Sequence, residues 1–232
     1  MTDLPANVIS VAALHNRGRV FRDRTHAGTI LADMLARYRD GDAIVLGIPA
    51  GGVPVAAAVA ETLHLPLDVA VVSKLTLPWN TEAGYGALAF DGTLRLNETL
   101  VRQAGLSKTD IELGTARTRE KVERRLHQWR GARPFPSLAA RTAILVDDGL
   151  ASGFTMLVAI EALRHQQAKE IIVAVPTAHS DSVIRVARQV EWLYCANLRE
   201  GLRFAVADAY ENWSDVEEET VGQLLGTPTG PP

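Results

Sequence analysis

The chain predicts an α/β fold, a central and mostly parallel sheet flanked by helices. A strand over 43–48, a glycine-rich turn, a helix over 55–63 and a strand over 67–72 follow one another. That order makes a βαβ unit, which requires a parallel pair joined by a right-handed crossover. Further on, the apolar run Ile144-Leu145-Val146 ends in Asp147-Asp148 and passes through Gly149-Leu150-Ala151-Ser152-Gly153 into a helix from about Thr155 to Arg164. A short uninterrupted apolar run reads as a strand covered on both faces. Acids at its end fall on the carboxyl edge of the sheet, where open α/β sheets bind ligands.

The remaining elements are placed by periodicity and punctuation. Residues 1–20 are hard to read, and 8–14 fit a short strand or an apolar arm. A helix starting at Asp23 or Thr25 carries Ala27, Ile30, Leu31, Met34, Leu35 and Tyr38 at helical spacing and ends near Gly41. Pro54 suits the first turn of the next helix. The stretch 73–84 is polar and irregular. Strands over 86–90 and 93–96 flank Asp91-Gly92, a strong hairpin signal. Ser107 with Asp110 opens a long helix to about Trp129 in the manner of a capping box. That helix carries Arg117, Arg119, Lys121, Arg124, Arg125 and Arg130. A solvated face with pairs such as Glu120–Arg124 is the favoured reading, an electropositive flank the alternative. A strand over 170–175 ended by Pro176, a helix over 181–189 and a strand over 190–196 complete the sheet. No repeat or linker divides the chain, so 1–226 reads as one domain and 227–232 as a disordered tail.

The loop chemistry narrows the ligand. Ala151, Ser152 and Gly153 are small enough for backbone N–H groups to approach an anion, and Ser152 and Thr155 add hydroxyl donors. The following helix directs its positive end at the same point. Carboxylates beside an anion nest suit a ligand with a phosphate and, a few ångströms away, sugar hydroxyls. In this order the residues resemble the 5-phosphoribosyl 1-pyrophosphate (PRPP) motif of the type I phosphoribosyltransferases. Phe21-Arg22-Asp23-Arg24-Thr25-x-Ala27-Gly28, Gly51-Gly52-Val53-Pro54-Val55-Ala56 and Tyr210-x-x-Trp213-x-Asp215 look like one poorly characterised bacterial branch of that family.

The resemblance implies the type I phosphoribosyltransferase fold, with a mobile loop, a hairpin, and a small hood from about 1–20 and 195–226. It implies transfer of the phosphoribosyl group from PRPP to a nucleobase or other small acceptor, with release of pyrophosphate and with Mg²⁺. Asp147 and Asp148 would take the ribose hydroxyls and meet the metal mainly through water. Ala151, Ser152, Gly153, Phe154 and Thr155 would form the 5′-phosphate loop, and Pro49, Ala50, Gly51 and Gly52 the pyrophosphate loop. Lys74, at the end of the second core strand, would reach the pyrophosphate. Glu82, the acid of the mobile loop over 75–84, is the candidate base. In place of the branch's basic residue the pyrophosphate loop has Ala50, and a charge-assisted contact there is worth ~1.5–3 kcal/mol. Where the 6-oxopurine enzymes have Asp this chain has Ala151, which argues against a usual hypoxanthine or guanine enzyme. Trp79, Tyr85, Tyr210 and Trp213 could stack on a base, although packing suits each of them better. The alternative to an enzyme is a PRPP- or nucleotide-binding regulator of the same fold.

Composition bounds the partners. Hydrophobic residues make up 47% of the chain and charged residues 22%, ordinary values for a soluble globular protein. A net charge of −3 suggests neither nucleic-acid nor membrane affinity. The single Cys195 reads as a buried strand residue and fits a reducing compartment. With no signal peptide or apolar span in view, the cytoplasm is the expected location. His26 and His179 are isolated, and no His or Cys spacing suggests zinc. No Gly-x-Ser-x-Gly elbow or Walker lysine supports a hydrolase or nucleotidase. The resemblance leaves a homodimer open without specifying its interface.

Overall fold

The computed structural model describes residues 4–201 and 203–226. A sheet of six parallel strands runs in the order β1-β9-β8-β7-β2-β3. Its strands are β1 (Val8–Ser10), β2 (Ile44–Gly47), β3 (Leu67–Val69), β7 (Thr142–Val146), β8 (Glu170–His179) and β9 (Trp192–Arg199). A second, antiparallel sheet contains β4 (Val72–Leu77), β5 (Asn80–Ala89) and β6 (Leu94–Leu96). The helices are α1 (Arg24–Met34), α2 (Gly52–Leu63), α3 (Glu98–Gln103), α4 (Lys108–Arg130), α5 (Phe154–His165), α6 (Ser180–Ala187) and α7 (Glu218–Leu224). Among the described residues, no helix is long and apolar enough to cross a membrane.

Alternation along the central strands sorts the core. Ile144 and Val146 pack with Val55, Val59 and Leu31 from α2 and α1, while Ala143 and Leu145 pack with Val158, Leu163 and Val186 from α5 and α6. Both faces of the sheet are thus covered, which is why β2 and β7 read as unbroken apolar runs. A third cluster joins Leu75, Tyr85 and Leu88 of the small sheet to Val122 and Trp129 of α4 and Val221 of α7.

The structure departs from the sequence reading in several places. The expected strand over 67–72 is two strands. The chain leaves the main sheet after the Ala70 N–H donates to Gly47 at 3.0 Å, and passes directly into β4. Ala70 and Val71 stay buried across the break, so hydrophobicity does not mark it. The stretch expected to be irregular, 73–84, is largely strand. Its polarity reflects a hairpin tip standing in solvent, with Trp79 exposed and the register slipping on either side of Thr76. β8 continues through Pro176, which lies beyond the last β7 pairing, Val146 with Ala174. On its other side the strand stays paired across the proline, Val175 with Cys195 and Thr177 with Asn197 of β9. The N-terminal segment assigned to a hood contributes β1 to the sheet edge, beside β9. Helix α3 had no counterpart in the sequence reading. The capping box is present, with Ser107 Oγ accepting from Asp110 N at 3.2 Å and Asp110 accepting from Ser107 N at 2.9 Å. The i,i+4 ion pair on α4 is Lys108–Glu112 at 3.7 Å, and Glu120–Arg124 does not form. The tail over 227–232 lies outside the described residues.

Candidate functional site

β2 and β7 are neighbours, with Gly47 opposite Val146, yet β2 connects outward to β3 while β7 connects outward to β8. The winding reverses between them. Loops leaving the carboxyl ends of such strands diverge and leave a crevice. Here the crevice is a cavity of about 390 Å³. One wall comes from the main sheet and runs from Asp147 through the loop to Met156. The loop after β2 adds Pro49 and Gly51. The opposite wall holds Val72, Ser73, Lys74 and Thr76 of β4, with Lys121 and Arg125 of α4.

Close packing shapes the floor. A Cβ on Gly51 would lie 1.9 Å from Asp148 Oδ2, so the two loops meet at a distance that only glycine allows. The peptide between Pro49 and Ala50 is cis. Gly153, with φ +71°, occupies the left-handed region at the entrance to α5. Phe154 N donates to Ser152 Oγ at 3.3 Å. The loop is fastened from α6, where Ser182 Oγ donates to the Ala151 carbonyl and Arg185 Nη2 donates to the Ser152 carbonyl at 3.0 Å.

The two acids have different surroundings. Asp148 Oδ2 accepts from Arg24 Nε at 2.9 Å, both side chains being mostly buried. Its carbonyl accepts from Tyr210 OH at 2.6 Å. Arg24 lies 3.9 Å above the Trp213 ring and donates from Nη1 to the Ser214 carbonyl at 2.8 Å. Among the described residues, Asp147 has no cation within ion-pair distance. Burial first, and the adjacent Asp148 second, push its carboxyl well above the usual carboxylate range, with Lys74 opposing. Burial also raises Asp148, and Arg24 counters it.

The structure thus gathers Pro49, Gly51, Lys74, Asp147, Asp148, Ala151, Ser152, Gly153, Phe154 and Thr155 around one cavity. Ala50 turns aside and packs against the third core cluster. Lys74 reaches the cavity from the antiparallel sheet rather than from a main-sheet strand, because the chain has already left β3. Glu82 falls on β5, but its side chain lies outside the described residues. Of the aromatics weighed for stacking, Tyr85 and Tyr210 are buried, while Trp79 and Trp213 are exposed. No cluster of three or more His, Cys, Asp or Glu suited to a metal occurs among the described residues.

Arg24 went unassigned from sequence, and Lys121 and Arg125 were weighed only as part of an electropositive flank. Their only signal was position: Arg24 lies in the Phe21–Gly28 motif, and the other two lie on the basic helix. The favoured reading of that helix as a solvated face holds for Arg117, Arg119 and Arg124, and Lys121 is exposed while lining the cavity; it fails for Arg125, half-buried against the cavity, and for Arg130, buried against Asp68.

A sequence model of the phosphoribosyl transferase domain matches residues 24–191. A Mycobacterium tuberculosis protein named "Putative phosphoribosyl transferase" is 36% identical over 207 residues, covering 89% of this chain and 46% of that protein. The chain therefore spans about half the length of the curated relatives it matches. The crystal structure of TT1426 from Thermus thermophilus superposes with a TM-score of 0.69 at 34% identity, covering 88% of this chain and 97% of that one. The domain match and the identity across most of the chain establish that this protein belongs to the phosphoribosyl transferase domain family.

Proposed function

We propose that the protein binds PRPP in the cavity between β2 and β7 and transfers its phosphoribosyl group to a nucleobase or another small acceptor, releasing pyrophosphate. The observation that carries this reading is the pairing of an anion nest with two carboxylates on one cavity wall. The N–H groups of 151–155 and the amino end of α5 favour a phosphate dianion. Asp147 and Asp148, at the adjoining strand end, are acceptors for the ribose hydroxyls. Displacement at the anomeric carbon develops positive charge on the ribose and negative charge on the departing pyrophosphate. Fixed donors aimed at that developing charge lower the barrier. Lys74 and the loop containing Pro49, Ala50, Gly51 and Gly52 are assigned to the pyrophosphate end.

Mg²⁺ fits this donor set as a partner of the substrate. A hard cation bound by one or two carboxylates and by phosphate oxygens needs no all-protein cage. Asp147, which has no ion-pair partner among the described residues, and Asp148 would hold it mainly through water. When bound, the ion neutralises charge on the phosphate oxygens. Glu82 is assigned as the base that takes the acceptor's proton, and the hairpin carrying it as the cover that excludes water.

A second reading, a PRPP or nucleotide sensor, is favoured by Ala50 and by the Arg24–Asp148 pair, which engages one acid before any sugar arrives. Calorimetric titration with PRPP and Mg²⁺, followed by pyrophosphate release against a panel of nucleobases, separates the two. Release with one base identifies an enzyme and its acceptor, whereas binding without release favours the sensor. Joint Asp147→Asn and Asp148→Asn substitution should abolish PRPP binding. Unchanged affinity in that double variant would sink the assignment.

A further inference from the structure

The loop after β2 lacks a basic side chain at Ala50, yet the cavity beside that loop is lined by Lys74, Lys121 and Arg125. Lys121 and Arg125 stand one turn apart on α4, on the same helix face, and both line the cavity with Lys74. The helix is held in this orientation by the burial of Thr118, Val122 and Trp129 on its packed side. Trp129 Nε1 donates to the Glu218 carbonyl at 3.0 Å, which docks α7 beside the same wall. Arg125 Nε donates to Glu218 Oε1 at 2.8 Å, and its Nη1 lies 3.4 Å from Ser73 Oγ on β4. Lys121 forms no ion pair among the described residues.

We propose that Lys121 and Arg125 bind the diphosphate end of the substrate and supply the positive charge that Ala50 does not. The inference rests on the PRPP reading of the cavity. Arg24 is committed to Asp148 and Glu218 partly offsets Arg125, so Lys74 and Lys121 are the cations with least compensation on this wall. A diphosphate brings several negative charges to them. Lys121 lines the cavity with its side chain exposed, so an arriving anion reaches it without displacing an ion-pair partner among the described residues. Arg125 adds a planar fork suited to phosphate oxygens.

The test uses the full chain and compares inorganic pyrophosphate, PRPP and ribose 5-phosphate, each with Mg²⁺, by calorimetry. Lys121→Gln is expected to weaken pyrophosphate and PRPP about tenfold or more while leaving ribose 5-phosphate within about twofold, since only the first two ligands reach α4. Lys121→Arg should restore most of the loss. Arg125→Gln should act in the same direction. Glu218→Gln, which breaks the same ion pair but keeps the cation, should leave pyrophosphate affinity equal or tighter, separating a lost charge from a loosened α7. Equal weakening of all three ligands by Lys121→Gln, or no weakening of any, overturns the proposal while the PRPP reading stands. Wild-type protein that binds none of the three overturns both.

Discussion

Gly51→Ala sets two effects of opposite sign against each other. The backbone at Gly51 is right-handed helical, φ −61° and ψ −32°, a conformation alanine adopts without strain. By itself the substitution would stabilise the fold by about 0.4–1 kcal/mol, by restricting the unfolded chain. Against this, the added Cβ would meet Asp148 Oδ2 at 1.9 Å and its Cγ at 2.6 Å. Asp148 cannot simply swing away, because Arg24 holds its carboxylate and Tyr210 holds its backbone carbonyl. Forcing an extra carbon into so tight a site costs about 1–3 kcal/mol. The clash wins, for a net loss of about 0.5–2 kcal/mol, or a melting temperature lower by about 1–8 °C for a chain of this size. PRPP binding should fall with it, since the carboxylate is displaced. Thermal unfolding of a double-mutant cycle checks the origin of the loss. In an Asp148→Ala background the nearest obstacles to the Cβ are gone, and Gly51→Ala should become neutral or stabilising. A destabilisation of the same size in both backgrounds would refute the steric argument.

Asp147→Asn should raise the melting temperature at pH 8 while removing PRPP binding. A carboxyl whose folded value is raised holds its proton more tightly folded than unfolded, so the wild type gains stability as pH falls from that raised value to the usual carboxylate range. The thermal advantage of the amide should therefore shrink on acidification and vanish by about pH 4. Tyr210→Phe leaves the buried Asp148 carbonyl without its 2.6 Å donor and should cost about 1–2 kcal/mol in urea unfolding. Cys195 is fully buried, and burial pushes its thiol up, so a thiol reagent should label it only at the rate of global unfolding and promptly in denaturant.

The parts legible in sequence are those set by local pattern. The apolar run before Asp147-Asp148 read as a doubly covered strand, and Ser107 with Asp110 announced α4. The tight turn into α5 was legible because small residues, hydroxyls and a helix start stand consecutively. What escaped was set by pairing over distance. Arg24 and Asp148 are 124 residues apart, and nothing local marks arginine as the partner of that acid. The motif around Phe21 and the motif around Tyr210 were visible as separate strings. The structure joins them through a Phe21–Tyr210 bridge and tilted rings 5.5 Å apart. Arg125 and Arg130 of α4 were misread because composition cannot tell an arginine in solvent from one turned into a cavity or the interior. The break between β3 and β4 was invisible because the chain passes from one buried environment straight into another.

The adjacency of β2 and β7 bears on how the site comes into being. Gly47 and Val146 are register partners although about a hundred residues of chain separate them, and that intervening chain forms α2, β3, the antiparallel sheet, α3 and α4. Closing so long a loop is entropically costly and tends to be a late folding event. During synthesis the loop after β2 must wait until β7 and its following loop have emerged, on the order of ten seconds later at ordinary elongation rates. No nascent fragment ending before β7 can assemble the cavity. A ligand that fits it therefore binds only chains in which this long-range closure has been completed, and by mass action it draws the folding equilibrium toward them.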